Sequence, residues 1–170
     1  MLPRFKKIKK LFITMIVLIQ CFSFSAFATN EKVELQDCDI TLEEFESLEH
    51  YYAEYDNDLS RATGLITAKS LAIAKSGSNL IITGKTVGDE NNVTKCGFEK
   101  LTVERRANSS SSWSEYSSYS NLYESDSSYT LSKSVEVDAG YQYRVVGEHR
   151  AYDGWFVYES VEATTTYIQF

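Results

Sequence analysis

The chain has 170 residues, 43% of them hydrophobic, and carries 24 acidic against 17 basic residues, for a formal net charge of −7. This length suits a single domain with a hydrophobic core of its own. Acidic surfaces repel phosphate backbones, so we exclude nucleic acid as a partner.

The first 28 residues have the pattern of a secretory signal peptide. Five cations within residues 4–10 precede an apolar run, Leu11–Phe24, and the small-residue site Ala26-Phe27-Ala28. The run has 14 residues, whereas a membrane-spanning helix needs about 20. A retained anchor and a lipoprotein signal at Cys21 are the alternatives, but Gln20 stands where lipoprotein signals have a small residue. We predict cleavage after Ala28, a secreted protein, and no stable membrane anchor after cleavage.

Cleavage changes both the charge and the cysteine content. It removes five cations and no acids, leaving 12 basic against 24 acidic residues and a net charge of −12. Cys38 and Cys96 are the cysteines that remain. A cysteine pair in an exported chain predicts one disulfide, worth on the order of 4 kcal/mol for a loop of 57 residues on the chain-entropy model. Two unpaired buried thiols are the alternative.

Residues 29–62 form an acidic segment with one predicted helix. From residue 30 to residue 60 there are eleven acidic residues and one lysine. Thr41 and Glu44 have the spacing of a capping box, which starts a helix. Apolar residues then recur every three or four positions, at Leu42, Phe45, Leu48, Tyr52 and Tyr55. This spacing predicts a short amphipathic helix over about residues 42–56.

Residues 63–170 are predicted to form a mainly β domain. Short β-prone runs are separated by turn residues, with no helical pattern between them. The predicted strands are Leu65–Ala74, Leu80–Val87, Phe98–Arg106, Tyr129–Val137, Tyr141–Tyr152 and Trp155–Phe170. Strands joined by short turns favour an antiparallel sandwich.

The last two predicted strands can be paired in register. A three-residue loop at Tyr152-Asp153-Gly154, with Gly154 in the left-handed region, places Val145 opposite Val161 and Tyr143 opposite Ala163. A two-residue turn would mix apolar and polar residues on one face, so we predict the three-residue loop. The same pairing places His149 on the inward face.

Residues 108–128 form a Ser/Tyr-rich segment with 11 serines among 21 residues. We predict a surface excursion, much of it mobile, with a short edge strand beginning at Trp113. Aromatic rings give broad, rigid contact surface and hydroxyls give adaptable hydrogen bonds, so the candidate ligand contacts are Trp113, Tyr116, Tyr119 and Tyr123. Core packing is the alternative for Trp113, and shielding of a sheet edge is the alternative for the tyrosines.

Gly140–Val145 follows a predicted strand and resembles the E–F corner of fibronectin type III and related immunoglobulin-like domains. Leu101–Arg105 is similar to strand C of these domains. This resemblance implies an antiparallel immunoglobulin/fibronectin III-like β-sandwich, and the short helix predicted from the apolar spacing precedes it. It also implies a tyrosine corner at Tyr141, with Tyr143 as the second choice.

A second resemblance covers roughly residues 70–170. Over this stretch the chain is similar to a family of small secreted proteins of unknown function from Gram-positive bacteria. The residues that carry the similarity are Asn79–Thr86, Leu101–Arg106 with Trp113, and Gly140–Val145. It implies a bacterial, exported protein.

Catalytic motifs are missing from the sequence. His50 and His149 are the histidines available as general bases near neutral pH, and neither lies in a nucleophile motif. Asp56-Asn57-Asp58 begins like a calcium loop, but Arg61 stands in place of the required glycine. We therefore predict no enzyme activity, no metal site and no cofactor.

These patterns favour a secreted, non-catalytic binding module whose partner is an extracellular glycan or protein. A self-associating structural envelope protein is the first alternative, in which the acidic helix docks on the sheet of its own or another copy. A secreted membrane-active effector is the second alternative.

Overall fold

The computed structural model describes residues 33–55, 64–154 and 156–170. The predicted signal peptide and the segment Asp56–Asp58 lie outside these residues. The helix and strands of the described part are β1 (Gln36–Asp37), α1 (Leu42–Ser47), β2 (Glu49–Tyr55), β3 (Ile66–Ser76), β4 (Asn79–Gly88), β5 (Lys95–Arg106), β6 (Ser114–Glu124), β7 (Ser128–Glu136), β8 (Gln142–Asp153), β9 (Val157–Thr165) and β10 (Ile168–Gln169). Over these ranges, no helix is long and apolar enough to cross a membrane.

The strands form one antiparallel sheet that curls into a half-barrel, which confirms the mainly β, antiparallel prediction. Their order is β1-β7-β4-β3-β2-β9-β8-β5-β6, and β10 pairs with β8. Strand β2 joins two halves of the sheet, because residues 49–52 pair with β3 and residues 53–55 pair with β9. We call β1, β7, β4 and β3 the first half, and β9, β8, β5 and β6 the second half.

The inner surfaces of the two halves enclose one hydrophobic core. Its largest fully buried side chains include Leu71, Ile73, Leu80, Ile82, Phe98, Leu101, Leu131, Tyr143 and Ile168. Phe98 of β5 packs against a glycine of each half. A Cβ atom at Gly84 of β4 would lie 2.8 Å from the Phe98 ring, and one at Gly147 of β8 would lie 3.2 Å from it. Glycine at both positions therefore makes room for the phenylalanine ring.

The helix predicted over residues 42–56 is wrong beyond Ser47. The capping box is present, since the Thr41 hydroxyl accepts a hydrogen bond from the Glu44 amide and the Glu44 carboxylate accepts one from the Thr41 amide. Phe45 is buried against Ala72 and its neighbours on the outer surface of the first half. The chain then becomes extended and pairs on both sides as β2. Backbone ladders to two strands outweigh the helical spacing of the apolar residues.

The predicted β8–β9 hairpin exists, but its register is wrong. Asp153 pairs with Val157, so the three loop residues are 154–156 and not 152–154. Val161 faces His149 and not Val145. Gly154 has a φ of 66°, in the left-handed region that was predicted for it. The loop moved by two residues along the chain, and an even displacement leaves every side chain on its predicted face.

The Ser/Tyr-rich segment is more regular than predicted. Strand β6 runs for eleven residues, Ser114–Glu124, and pairs with β5 along most of its length. Asn121 interrupts it with a φ of 62°. Tyr119 lies opposite Leu101 in the core, which gives the strand an apolar anchor despite its serines. An edge strand therefore begins next to Trp113, as predicted, but it extends through most of the segment that was predicted to be mobile.

Candidate functional site

The outer surface of the second half carries aromatic and charged side chains from four strands. Because side chains alternate along β8, Tyr152 and Arg150 point outward while Ala151 and His149 are buried. The register places Tyr152 between Tyr158 of β9 and Lys95 of β5. The side chains of a single row across the sheet therefore lie side by side.

Tyr123 of β6 extends this row because of a glycine. It lies opposite Gly97 of β5. A Cβ atom at Gly97 would lie 2.0 Å from the carbonyl oxygen of Leu122 and 2.9 Å from the Tyr123 ring. Only glycine fits there, and its missing side chain lets the tyrosine ring lie over the backbone of β5.

We call Tyr123, Tyr152, Tyr158 and Lys95 the tyrosine platform. The ring centroids of Tyr123 and Tyr152 are 5.6 Å apart, and those of Tyr152 and Tyr158 are 5.9 Å apart. The Lys95 ammonium lies 4.1 Å from the Tyr123 ring centroid and 5.2 Å from that of Tyr152. Tyr158 is 52% exposed, and the other two rings are half-buried. The rings are thus fixed by one another while part of their surface faces solvent.

A bulge in β5 brings a carboxylate to the platform. The register with β8 shifts between Phe98 and Lys100, so Glu99 is an extra residue relative to β8, whereas the register with β6 continues unchanged there. The Glu99 carboxylate accepts a hydrogen bond from the Tyr123 hydroxyl and one of 3.4 Å from the Tyr152 hydroxyl. Burial, followed by the hydrogen bond to Glu99, raises the pKa of Tyr123. The Tyr123 phenol therefore stays protonated as a hydrogen-bond donor.

Arg150 links two carboxylates beside the platform. Its guanidinium lies 3.0 Å from Glu99 and 2.6 Å from Glu148, and its carbon lies 4.7 Å from the Tyr158 ring centroid. Burial lowers the pKa of Arg150, but hydrogen bonds to Tyr152 and Glu148 outweigh burial and raise it overall. Burial also opposes ionisation of Glu148, but bonds from Ser160 and Arg150 lower its pKa overall. The network holds opposite charges in fixed positions among the rings.

The hairpin tip next to the platform is apolar and exposed. Phe156 is 94% exposed and Val157 is 49% exposed, directly before Tyr158. Tyr158 pairs with Tyr152, so the tip is continuous with the platform. Exposed apolar surface next to ordered polar groups is typical of an interaction site.

A second aromatic group lies further along the same face. The guanidinium carbons of Arg106 and Arg144 lie 4.3 Å and 4.5 Å from the ring centroid of Trp113. The Tyr167 ring centroid is 6.3 Å from that of Trp113. We call these four residues the tryptophan cluster. Cation–π contacts hold the indole ring, which is half-buried.

The structure separates the four predicted ligand contacts. Tyr123 belongs to the tyrosine platform and Trp113 to the tryptophan cluster. Tyr119 is buried, and its hydroxyl donates to the carbonyl of Val33 at 2.8 Å. Tyr116 packs against Tyr143, and its hydroxyl donates to the backbone carbonyl of Glu136 at 3.2 Å. For Tyr119 a role in ligand contact is wrong, because the core covers its ring.

Sequence reasoning missed Tyr152, Tyr158, Arg150 and Glu99. Alternation along β8 was a signal for Tyr152 and Arg150, since it places both on the face opposite His149. Glu99 gave no such signal, because the bulge that moves it outward is not visible in the pattern.

Tyr143, and not the first choice Tyr141, makes the hydrogen bonds to the preceding backbone that are expected of a tyrosine corner. The Tyr143 hydroxyl donates to the carbonyl of Asp138 at 3.2 Å and accepts from the amide of Asp138 at 3.0 Å. Tyr143 is fully buried and Tyr141 is half-buried. The inward face of β8 points Tyr143 toward the preceding turn, so the second choice is the one that the structure supports.

The predicted disulfide between Cys38 and Cys96 is not formed, and both thiols are free. Cys38 packs with Phe45 on the outer surface of the first half, whereas Cys96 belongs to the central core. These two clusters lie on opposite faces of the sheet. The Cys96 thiol donates to the carbonyl of Thr86, and burial raises its pKa to about 11.

A small groove lies between α1 and the outer surface of the first half. Its volume is about 250 Å³, and Phe45, Ala72 and Leu131 are among its lining residues. Leu42 and Tyr52 at this groove are 68% and 50% exposed. The volume suits one apolar group and not an extended ligand.

Both histidines lie within the described ranges and contact a hydrogen-bonding oxygen through Nδ1. No group of three or more His, Cys, Asp or Glu side chains there is placed to hold a metal ion. His149 is fully buried with its Nδ1 2.8 Å from the Thr86 hydroxyl. His50 lies at the start of β2, with its Nδ1 2.9 Å from the carbonyl of Leu48.

Comparison with known proteins adds no relative to this picture: no family model, curated protein or solved structure matches the chain. The resemblance to secreted Gram-positive proteins stays a prediction.

Proposed function

We propose that the protein is a secreted, non-catalytic binding module that holds an extracellular glycan on the tyrosine platform. The observation that carries the proposal is the row of rings from β6, β8 and β9, exposed on one face beside hydrogen-bonding groups that are already fixed. Aromatic rings stack on the apolar faces of sugars, and carboxylates and guanidinium groups bind their hydroxyls.

Rigidity is the second support for this proposal. Tyr123 and Tyr152 donate hydrogen bonds to Glu99, and Arg150 forms an ion pair with it, so few rotamers are lost when a ligand binds. The charges of Arg150 and Lys95 balance those of Glu99 and Glu148. A locally balanced face suits a neutral sugar chain better than a highly charged polymer.

The test is calorimetric titration of the protein with fragments of cell-wall and host polysaccharides, chosen from a glycan array. Tyr158→Ala should weaken binding about tenfold, because Tyr158 is the most exposed ring of the platform. Tyr52→Ala is the matched control: Tyr52 is 50% exposed against 52% for Tyr158, and it lies at the α1 groove. Equal losses for both variants, or no glycan bound by the wild type, would contradict the proposal.

Self-association is the second candidate function, and one observation favours it. β6 is the last strand in the sheet order, and no strand of the described part pairs with its outer edge. An unpaired edge is a template for another chain. Sedimentation should then show dimers that Ser120→Lys, an exposed change on β6, dissociates. A monomer at all concentrations would contradict this function.

The immunoglobulin/fibronectin III-like sandwich is likewise proposed as the finer description of the fold. Two halves of the sheet around one core and the corner formed by Tyr143 support it. Strand β2, which pairs with both halves, distinguishes this chain from sandwiches made of two separate sheets.

A further inference from the structure

Arg106 differs from the other arginines of the described part in its partner. Arg105, Arg144 and Arg150 each lie within 3.0 Å of a carboxylate oxygen. The Arg106 Nε donates instead to the side-chain oxygen of Gln142 at 2.7 Å. No ion pair to Arg106 occurs within the described ranges, although the chain has an excess of seven negative charges.

The Arg106 guanidinium is held in place by its surroundings. Its carbon lies 4.3 Å from the Trp113 ring centroid and 4.9 Å from that of Tyr167. The bond to Gln142 uses Nε, so the two terminal nitrogens keep their donors. Two rings and one amide therefore fix the plane of a guanidinium fork that pairs with no carboxylate of the described residues.

Carboxylates near the tryptophan cluster are already bound to other cations. Glu104 lies 2.7 Å from Arg144 Nε, and Glu115 lies 3.7 Å from Lys100 Nζ. Arg144 and Glu104 balance each other, so Arg106 contributes one uncompensated positive charge. A half-buried charge of this kind favours an anionic ligand.

We propose that Arg106, flanked by Trp113 and Tyr167, binds the carboxylate of an acidic sugar residue. A planar guanidinium fork matches the two oxygens of a carboxylate, and a single net charge suits a monoanion. Tyr167 is 39% exposed and offers its ring to the sugar ring that bears the carboxylate. This inference rests on the proposed function for its choice of a sugar, but it assigns a site separate from the tyrosine platform.

The test follows the fluorescence of Trp113 in a Trp155→Phe background, titrated with glucuronate, glucose and sulfate. The fluorescence of Trp113 should change as glucuronate is added and reach a plateau, and it should not change when glucose is added. Arg106→Gln should raise the dissociation constant for glucuronate about tenfold. Arg106→Lys keeps the charge but loses the fork, so it should also weaken binding. Lys100→Gln removes a charge from the same face and is the control.

Each outcome decides the proposal. Equal responses to glucose and glucuronate would overturn it, and so would an Arg106→Lys variant as good as the wild type. Sulfate binding as tightly as glucuronate would overturn the preference for a carboxylate. Tyr158→Ala separates this site from the platform: glucuronate binding at Trp113 should survive that change even if the platform binds no glycan. Circular dichroism of every variant confirms that it folds.

Discussion

Lowering the pH from about 7 to about 5 is expected to destabilise the protein, because His149 is buried as a neutral imidazole. The side chain has no exposed surface, and its ring centroid lies 4.4 Å from that of Phe98. Its Nδ1 is 2.8 Å from the Thr86 hydroxyl. Burial, and to a lesser extent the charge of Lys69, lowers the pKa of His149 from 6.5 to about 3.

The size of the effect follows from the two pKa values. Below pH 6.5 the unfolded chain takes up a proton at this histidine, whereas the folded protein does so only near pH 3. The contribution to the free energy of unfolding is therefore complete above pH 6.5 and falls as the pH decreases toward 3. Each pH unit in this window costs about 1.4 kcal/mol, so the roughly 1.5 units down to pH 5 cost about 2 kcal/mol.

Urea unfolding followed by circular dichroism at about pH 7, 6 and 5 measures this slope. His149→Gln should be less stable than the wild type at pH 7, because it disturbs a buried contact with Thr86. Its stability should nevertheless depend little on pH between 7 and 5. His50→Gln, which removes the other histidine from outside the central core, is the matched control. The same slope in His149→Gln and the wild type would refute the reasoning.

Three further measurements test the packing of the core and of the platform. Tyr143→Phe should lower the free energy of unfolding by about 1–3 kcal/mol, because it leaves a backbone amide and carbonyl without their partner. Cys96 should react with a thiol reagent only after unfolding, since it is buried with a raised pKa, and the half-buried Cys38 should react faster. Gly97→Ala should destabilise the protein by more than about 2 kcal/mol, because its Cβ would lie 2.0 Å from a carbonyl oxygen.

Each of these measurements has a control. Tyr141→Phe should change the unfolding free energy by less than about 0.5 kcal/mol, and an effect as large as that of Tyr143→Phe would contradict the corner at Tyr143. Cys38→Ser should remove the fast thiol phase, and rapid labelling of that variant in the native state would place Cys96 at the surface. Gly140 has open space around its Cβ position but a φ of 89°, so Gly140→Ala tests strain without a clash.

The strands predicted correctly are those whose signal is local. β3, β4, β5, β7 and β8 each have β-prone residues between turn residues, and their observed bounds differ from the predicted ones by at most three positions. The last predicted strand, Trp155–Phe170, is divided into β9 and β10. β2 was missed because its apolar residues also have helical spacing. Pairing with β3 and β9 decides its conformation, and those partners are distant in the sequence.

β6 was predicted only as a short edge strand beginning at Trp113, whereas the observed strand runs from Ser114 to Glu124. Its serines are typical of a loop, and its core contact comes from Tyr119 opposite Leu101. The apolar and aromatic residues Tyr116, Tyr119, Leu122 and Tyr123 do not alternate with the polar ones, so the pattern is too weak to indicate a strand of this length. Backbone hydrogen bonds to β5 stabilise the strand where its side chains do not, because these bonds form regardless of side-chain polarity.

The tyrosine platform was hidden by a displacement of only two residues in one loop. With a loop at residues 152–154, Tyr152 would be a turn residue and Tyr158 would face Glu148, so no row of rings would exist. With the loop at residues 154–156, Tyr152 pairs with Tyr158 and lies next to Lys95. The displacement is even, so the inward face of β8 was still correct and the core was predictable. A core needs only the correct face of each strand, whereas a binding surface built across strands needs the correct pairing as well.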